Sequence, residues 1–214
     1  MSKVQSRFPL LLSVLSVITV VVLGVRQVRL WDGVASGVAA VVLSLYLLWL
    51  VVESRVARGE VAKGETRLDR GTLELYAAGR MATVLAALVL PTAAPPAAVL
   101  ALGGLVFVGG VLFRLRAIWE LGRFYSHRVR VAAAHRIIDS GPYRIVRHPA
   151  YTGMLAAHLG FVMVFFNWMS LAFLVGLLLV GIVLRIRVEE RVLYQLPGYR
   201  AYSRNRKRLV PGVW

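Results

Sequence analysis

The sequence predicts an all-α polytopic membrane protein of about six transmembrane segments, the last two folded into a helical hairpin. Three observations lead there. Hydrophobic residues make up 58% of the 214-residue chain and the mean hydropathy is +0.70, against roughly 45–50% apolar residues in a soluble domain. The apolar residues gather in blocks of near-membrane length instead of alternating with polar ones. The lysines and arginines crowd into some of the intervening loops and avoid others.

Taken in order, Phe8–Val25 and Val34–Val52 are uninterrupted apolar runs close to the ~20 residues that a membrane helix needs. No small-residue cleavage site follows the first run, which continues instead into "VRQVRLWDG", so it reads as a span and not as a cleaved signal. Leu75–Leu90 is shorter and carries Arg80. Ala97–Phe113 follows a break at "PTAAPP", Pro91–Pro96. Its glycines, Gly103, Gly104, Gly109 and Gly110, suit close helix packing better than phosphate binding. Pro149–Phe165 and Trp168–Leu184 are two apolar arms around the corner "FNW" at Asn167, hence the hairpin. No strand–glycine turn–helix unit appears, so a Rossmann domain is not expected.

The charge pattern supplies an orientation. Lys3 and Arg7 precede the first span, and the second loop holds Arg55, Arg58, Lys63, Arg67 and Arg70. Eight arginines lie between Arg114 and Arg147 and eight basic residues between Arg185 and Arg208, whereas Pro91–Pro96 has none. The positive-inside rule then places both termini and the Arg114–His148 segment in the cytoplasm. Arg26 and Arg29 fall on the outer side and run against the pattern. The net charge of +16 fits anionic lipid, gripped by the tail "RNRKR" at Arg204–Arg208, better than nucleic acid, for which no soluble domain remains. The absence of cysteine excludes disulfides, a thiolate nucleophile and cysteine-ligated zinc.

The chemistry concentrates in "GPYRIVRHPAYTG", Gly141–Gly153. Pro149 suits the first turn of a helix, so His148 should stand at the mouth of the hairpin's first arm. The unpaired N–H groups of that turn, with Arg147 and His148, favour an anionic group such as a ligand carboxylate. Tyr143 and Tyr151 add flat faces for an aromatic base or a cation. An arginine-rich interface with an aromatic belt uses the same residue types. A second cluster, "RIRVEERVLYQLPGYRAY" at Arg185–Tyr202, follows the second arm, and Arg185 and Glu189 share a helix face. A hairpin returns its ends to one place, so Arg147–Tyr151 and Arg185–Glu190 should meet.

"HRIIDSGPYRIVRHPAYTGML", a hydrophobic hairpin, "RIRVEERVL" and a Tyr-x-x-Tyr tail together resemble the integral-membrane methyltransferases related to isoprenylcysteine carboxyl methyltransferase. The resemblance runs from Gly122 to the C-terminus. It divides the chain into four N-terminal spans (1–121) and a catalytic region (122–214). It implies a cytosolic pocket for S-adenosylmethionine, lined by His135, Arg136, Ile137, Ile138, Tyr143 and the turn His148, Pro149, Ala150 and Tyr151. It implies that Glu189, or its neighbour Glu190, accepts hydrogen bonds from the cofactor and that Arg185 orients the acceptor. The acceptor would be a small lipid or isoprenoid molecule, a carboxylate among the candidates, at the membrane–cytosol interface. The chain departs from its relatives in setting Gly198 directly against the first tail tyrosine, Tyr199.

Two other readings use the same residues. A sterol-reductase-type enzyme binding NADPH would share the His-Pro-x-Tyr turn but call for more cations than the Glu189–Glu190 pair suggests. A membrane scaffold would use the basic tail and leave Glu189 without a role. No metal is expected, because His127 and His135 are eight residues apart and His148 and His158 ten apart. His158, inside the first hairpin arm, is expected to hydrogen-bond a neighbouring helix.

Overall fold

The structure, a computed structural model, describes residues 3–61, 71–126 and 137–214. The expected all-helical chain is what forms. Its elements are α1 (Lys3–Arg29), α2 (Gly33–Val61), α3 (Thr72–Val89), α4 (Ala97–Leu121), α5 (Pro149–Val164), α6 (Trp168–Phe173), α7 (Val180–Leu193) and α8 (Tyr199–Arg204). A π-helical segment, Leu174–Leu179, fuses α6 and α7 into one rod from Trp168 to Leu193. Among the described residues no strand forms, only a parallel bridge between Val146 and Lys207. Among the described residues four helices are long and apolar enough to cross a membrane: Gly33–Arg55, Thr72–Val89, Ala97–Leu121 and Trp168–Leu193. The chain is an integral membrane protein. α5, at 16 residues, spans about 24 Å at 1.5 Å per residue, less than a full hydrocarbon core.

The corner between α5 and α6 is fixed by Asn167. Its side chain accepts from the Ser170 amide at 2.8 Å while Ser170 answers in a capping box. Its Nδ2 donates to Ala86 O at 2.8 Å, pinning the corner to the end of α3. The chain therefore reverses, and the start of α5 meets the cluster around Glu189 on α7.

Along their lengths, however, α5 and the last rod choose different partners. α5 lies against α4, and the α6–α7 rod lies against α3. Glycines decide this. A methyl group on Gly110 would stand 2.3 Å from Ala157 N, and one on Gly160 would stand 2.2 Å from Phe107 N. Gly103 and Gly153 are equally enclosed. Each helix thus presents two glycines seven residues apart, and the backbones meet where any side chain would hold them apart. Gly104 and Gly109, expected to share this role, face open space. They lie on the other side of α4.

The arginines that broke the sequence pattern have local work. Arg26 donates to Leu88 O and Val89 O, both at 2.7 Å, and so satisfies carbonyls that the end of α3 leaves unpaired. Arg80, the charge inside the third apolar run, bonds Glu53 of α2 at 2.8 Å and lies over the rings of Trp49 and Tyr76. Arg114 of α4 donates through Nε to the same Glu53 and through Nη1 to Ala150 O at 3.0 Å. One carboxylate thus joins α2, α3 and α4, and Arg114 extends the link to α5. His158 departs from expectation. Its Nδ1 donates to Met154 O of its own helix at 2.9 Å, its Nε2 has no partner among the described residues, and its ring sits edge-on to Tyr46 and Trp49. Four residues separate His158 from Met154, so the helix's own carbonyl was the nearer acceptor.

Candidate functional site

The proline at the first position of α5 leaves His148 as its N-cap, with φ −124° and ψ 59°. In that conformation its carbonyl accepts from the Tyr151 and Thr152 amides at 3.0 and 3.1 Å. Its imidazole is buried and projects between two carboxylates, with Nδ1 3.6 Å from Glu189 Oε2 and Nε2 3.4 Å from Glu190 Oε1. Burial works against the protonated ring, but hydrogen bonds to Glu189 and Glu190 outweigh it and hold the His148 pKa above its usual value.

The two glutamates divide the corner. Glu190 is nearly enclosed. Arg147 Nη1 donates to its Oε1 at 2.6 Å and Arg208 Nε to its Oε2 at 2.8 Å. Glu189 accepts from the Tyr151 hydroxyl, which itself accepts from Arg185 Nε at 2.7 Å. The Arg185 Nε to Glu189 Oε1 distance is 3.5 Å, as helical spacing predicts. The sequence reading sent a ligand carboxylate to the basic mouth of α5. The protein's own glutamates stand there instead.

The tail closes the other side. Arg147 N donates to Lys207 O at 2.8 Å and His148 N to Arg208 O at 3.0 Å, while Thr152 Oγ1 bonds Leu209 O at 2.8 Å. Arg206 lies over Tyr202 and Arg208 over Trp214. Half of the basic tail is thereby built into the site, and Arg204 and Lys207 are the cations left exposed. Gly198 carries φ 84°, a left-handed conformation that suits glycine. It turns the chain so that Tyr199 and Tyr202 of α8 fold inward, where the Tyr202 hydroxyl donates to Tyr143 O at 3.0 Å. The unusual Gly198–Tyr199 junction is therefore the hinge that delivers the two tyrosines.

These elements line a cleft that is open on one side. Of the expected residues, Ile137, Ile138, Tyr143, His148, Ala150, Tyr151, Arg185 and Glu189 line it. Pro149 is buried beneath it and Glu190 stands behind it. His135 and Arg136 lie outside the described residues. Arg147, expected to favour a ligand carboxylate, also lines the cleft, as do Tyr76, Arg114, Tyr125, Tyr199 and Tyr202, for which no cofactor or acceptor role was expected. The tail tyrosines had a signal in their Tyr-x-x-Tyr spacing. Tyr76 had none. Burial raises the pKa of Tyr143 and Tyr199, so both hydroxyls remain protonated donors near neutral pH.

The fold and cleft define a helical membrane protein with a mixed aromatic and charged pocket where α5 meets α7. Residues 100–195 match the model of the isoprenylcysteine carboxyl methyltransferase family. Protein-S-isoprenylcysteine O-methyltransferase B of Arabidopsis thaliana is 30% identical over 106 residues, covering 49% of this chain and 53% of that protein. A probable protein-S-isoprenylcysteine O-methyltransferase of Oryza sativa subsp. indica is 31% identical over 111 residues, covering 51% and 57% respectively. The chain thus spans about half the length of the curated relatives it matches, and no solved structure matches it. The similarity to this family thus covers most of α4, α5 and the α6–α7 rod.

Proposed function

We propose that the chain is an S-adenosylmethionine-dependent membrane methyltransferase whose acceptor is an isoprenoid-type lipid bearing a carboxylate. The observation that carries the reading is the cleft itself, where His148 and Tyr151 of α5 meet Glu189 and Arg185 of α7 inside the segment related to the methyltransferases. The acceptor class follows the relatives, whose names specify O-methylation of S-isoprenylcysteine.

The lining suits such a cofactor. The Tyr199 hydroxyl and Arg147 Nε are buried without partners among the described residues, and both residues face the cleft. Tyr143, Tyr199 and Tyr202 offer ring faces, and Ile137, Ile138 and Leu196 an apolar wall for a purine. Glu189 is the carboxylate that can receive an ammonium group, because Glu190 is already enclosed by cations. Held by Glu189 and this lining, S-adenosylmethionine would supply an electrophilic sulfonium methyl group for the acceptor oxygen.

The protein's own work is alignment and exclusion of water. A carboxylate acceptor loses no proton, so the site requires no general base. Tyr151 links Glu189 to Arg185, holding the cofactor-side carboxylate and the acceptor-side guanidinium in one register. NADPH fits less well, because the arginines nearest the cleft already face Glu190, Tyr151 and Glu189. α1 adds to the four long apolar helices and to α5 to give six membrane segments, with both termini and the cleft on the cytoplasmic side. Arg204 and Lys207 then face anionic headgroups.

The test is calorimetry of the purified protein with S-adenosylhomocysteine and with NADPH, followed by label transfer from methyl-labelled cofactor to an S-prenylated N-acylcysteine. One-to-one binding of the first ligand, with transfer, is expected. Binding of NADPH alone would favour a reductase. Orientation is read separately. An impermeant thiol reagent on intact cells should label Ala94→Cys and spare Ser203→Cys, and the reverse pattern inverts the topology.

A further inference from the structure

We propose that Tyr76 of α3 is the acceptor-side hydrogen-bond donor of the cleft, its hydroxyl holding an oxygen of the acceptor carboxylate. The inference rests on the methyl-transfer reading above and extends it to a residue outside the 100–195 segment. Tyr76 is 3% exposed and lines the cleft, yet its hydroxyl has no hydrogen-bond partner among the described residues. A buried phenol without a partner is costly, and a phenylalanine would fill the same space without that cost. A hydroxyl kept at such a position points to a ligand that completes it.

Its placement is built into the helix packing. A methyl on Gly79 would stand 2.7 Å from Leu178 Cα, and one on Gly181 would stand 3.4 Å from Tyr76 N and Cα. Gly79 lets α3 and the last rod approach closely, and Tyr76 lies at ordinary contact distance from Gly181. One turn beyond Gly181 on α7 is Arg185, whose Nε donates to Tyr151. The Tyr151 ring meets the Tyr76 ring edge-on, with centroids 5.8 Å apart. Tyr76 therefore stands beside the Tyr151–Arg185 pair.

The local charge favours an anion. The Arg80 guanidinium lies 5.6 Å from the Tyr76 ring centroid, and Arg114 lines the same cleft. Glu53 sits between these two arginines, so the group of three carries one positive charge in excess. A phenol donor beside this excess positive charge suits a carboxylate more than an amine or a neutral alcohol. Tyr76 takes no part in bond making. It orients one oxygen while the other receives the methyl.

The experiment compares wild type with Tyr76→Phe in lipid nanodiscs, using the full chain. The expected result for the variant has four parts. S-adenosylhomocysteine affinity stays within about twofold and the melting temperature is unchanged or higher, because the buried hydroxyl has been removed. kcat/KM for the S-prenylated N-acylcysteine falls about tenfold or more. Inhibition by a prenyl alcohol of equal chain length, which has no carboxylate, is unaltered. Unchanged kcat/KM overturns the assignment. So does a parallel loss of alcohol inhibition, cofactor affinity or melting temperature, since each marks a packing role. If wild type neither binds S-adenosylhomocysteine nor transfers a methyl group, the underlying reading falls together with this one.

Discussion

Glu189 and Glu190 are adjacent in sequence but stand on opposite nitrogens of His148, at 3.6 Å from Nδ1 and 3.4 Å from Nε2. Their remaining contacts separate them further. Glu190 binds Arg147 and Arg208 and so ties the tail to the mouth of α5, whereas Glu189 binds Tyr151 and faces the cleft. Substituting each by glutamine should separate structure from binding. Glu190→Gln leaves three cations around a neutral amide and should cost stability, up to about 3–5 kcal/mol for a broken buried pair. Glu189→Gln should melt nearer to wild type and lose S-adenosylhomocysteine affinity by at least about tenfold. Thermal unfolding and calorimetry on the same preparations would show it, and the opposite assignment would exchange the two phenotypes.

A pH dependence follows from the same corner. The His148 ring faces Glu189 and Glu190 of α7, with Arg147, Tyr151, Arg185 and Arg208 around those carboxylates. Its folded-state pKa lies above the ordinary value because the two carboxylates outweigh burial. A raised histidine pKa means that folding takes up a proton. The stabilisation is therefore complete below the unfolded-state pKa of about 6.5 and is lost as pH rises through the folded-state value. Wild-type melting temperature should fall over that interval, and His148→Asn should flatten this part of the curve. A variant that keeps the wild-type slope would place the titration elsewhere.

The α4–α5 contact makes a third prediction with an internal control. Gly110 and Gly160 meet facing backbone closer than any side chain permits, while Gly104 on the same helix meets nothing within 4 Å. Gly110→Leu and Gly160→Leu should each cost at least about 1–3 kcal/mol from overpacking, or prevent folding. Gly104→Leu should be nearly neutral. Melting temperatures in detergent distinguish these outcomes.

Local apolar runs made the helices readable, and Asn167 in "FNW" marked the reversal. The meeting of His148 with Glu189 followed from that reversal alone. What escaped the sequence is nonlocal. Gly153 and Gly160 carry no sign that their partner is α4 and not the next rod. The backbone of Lys207–Leu209 pairs with Arg147, His148 and Thr152 across some sixty residues, so a segment that reads as a loose polybasic tail is in part a wall of the site. Tyr76 and Arg114 belong to no motif. The close helix crossings at Gly79 and Gly153 bring them to the cleft. The π-helical segment at Leu174–Leu179 likewise has no local sequence signal.

The last prediction concerns Glu53. It receives Arg80 Nη1 at 2.8 Å and Arg114 Nε, and all three groups lie among helices that read as membrane spans. Neutralising Glu53 leaves the buried Arg114 and the half-buried Arg80 guanidinium groups with no carboxylate between them. Glu53→Gln should therefore destabilise strongly, by about 3–5 kcal/mol. If the cost is electrostatic, removing one cation should restore part of it. Glu53→Gln combined with Arg80→Gln should then melt above Glu53→Gln alone, giving a coupling in the double-mutant cycle of about 1–3 kcal/mol. Arg80 is the member to remove, because Arg114 also supports Ala150 O and Tyr125 at the cleft. Additive melting losses in the cycle would mean that Glu53 acts by shape and not by charge. The link from α2 to the cleft would then run through packing alone.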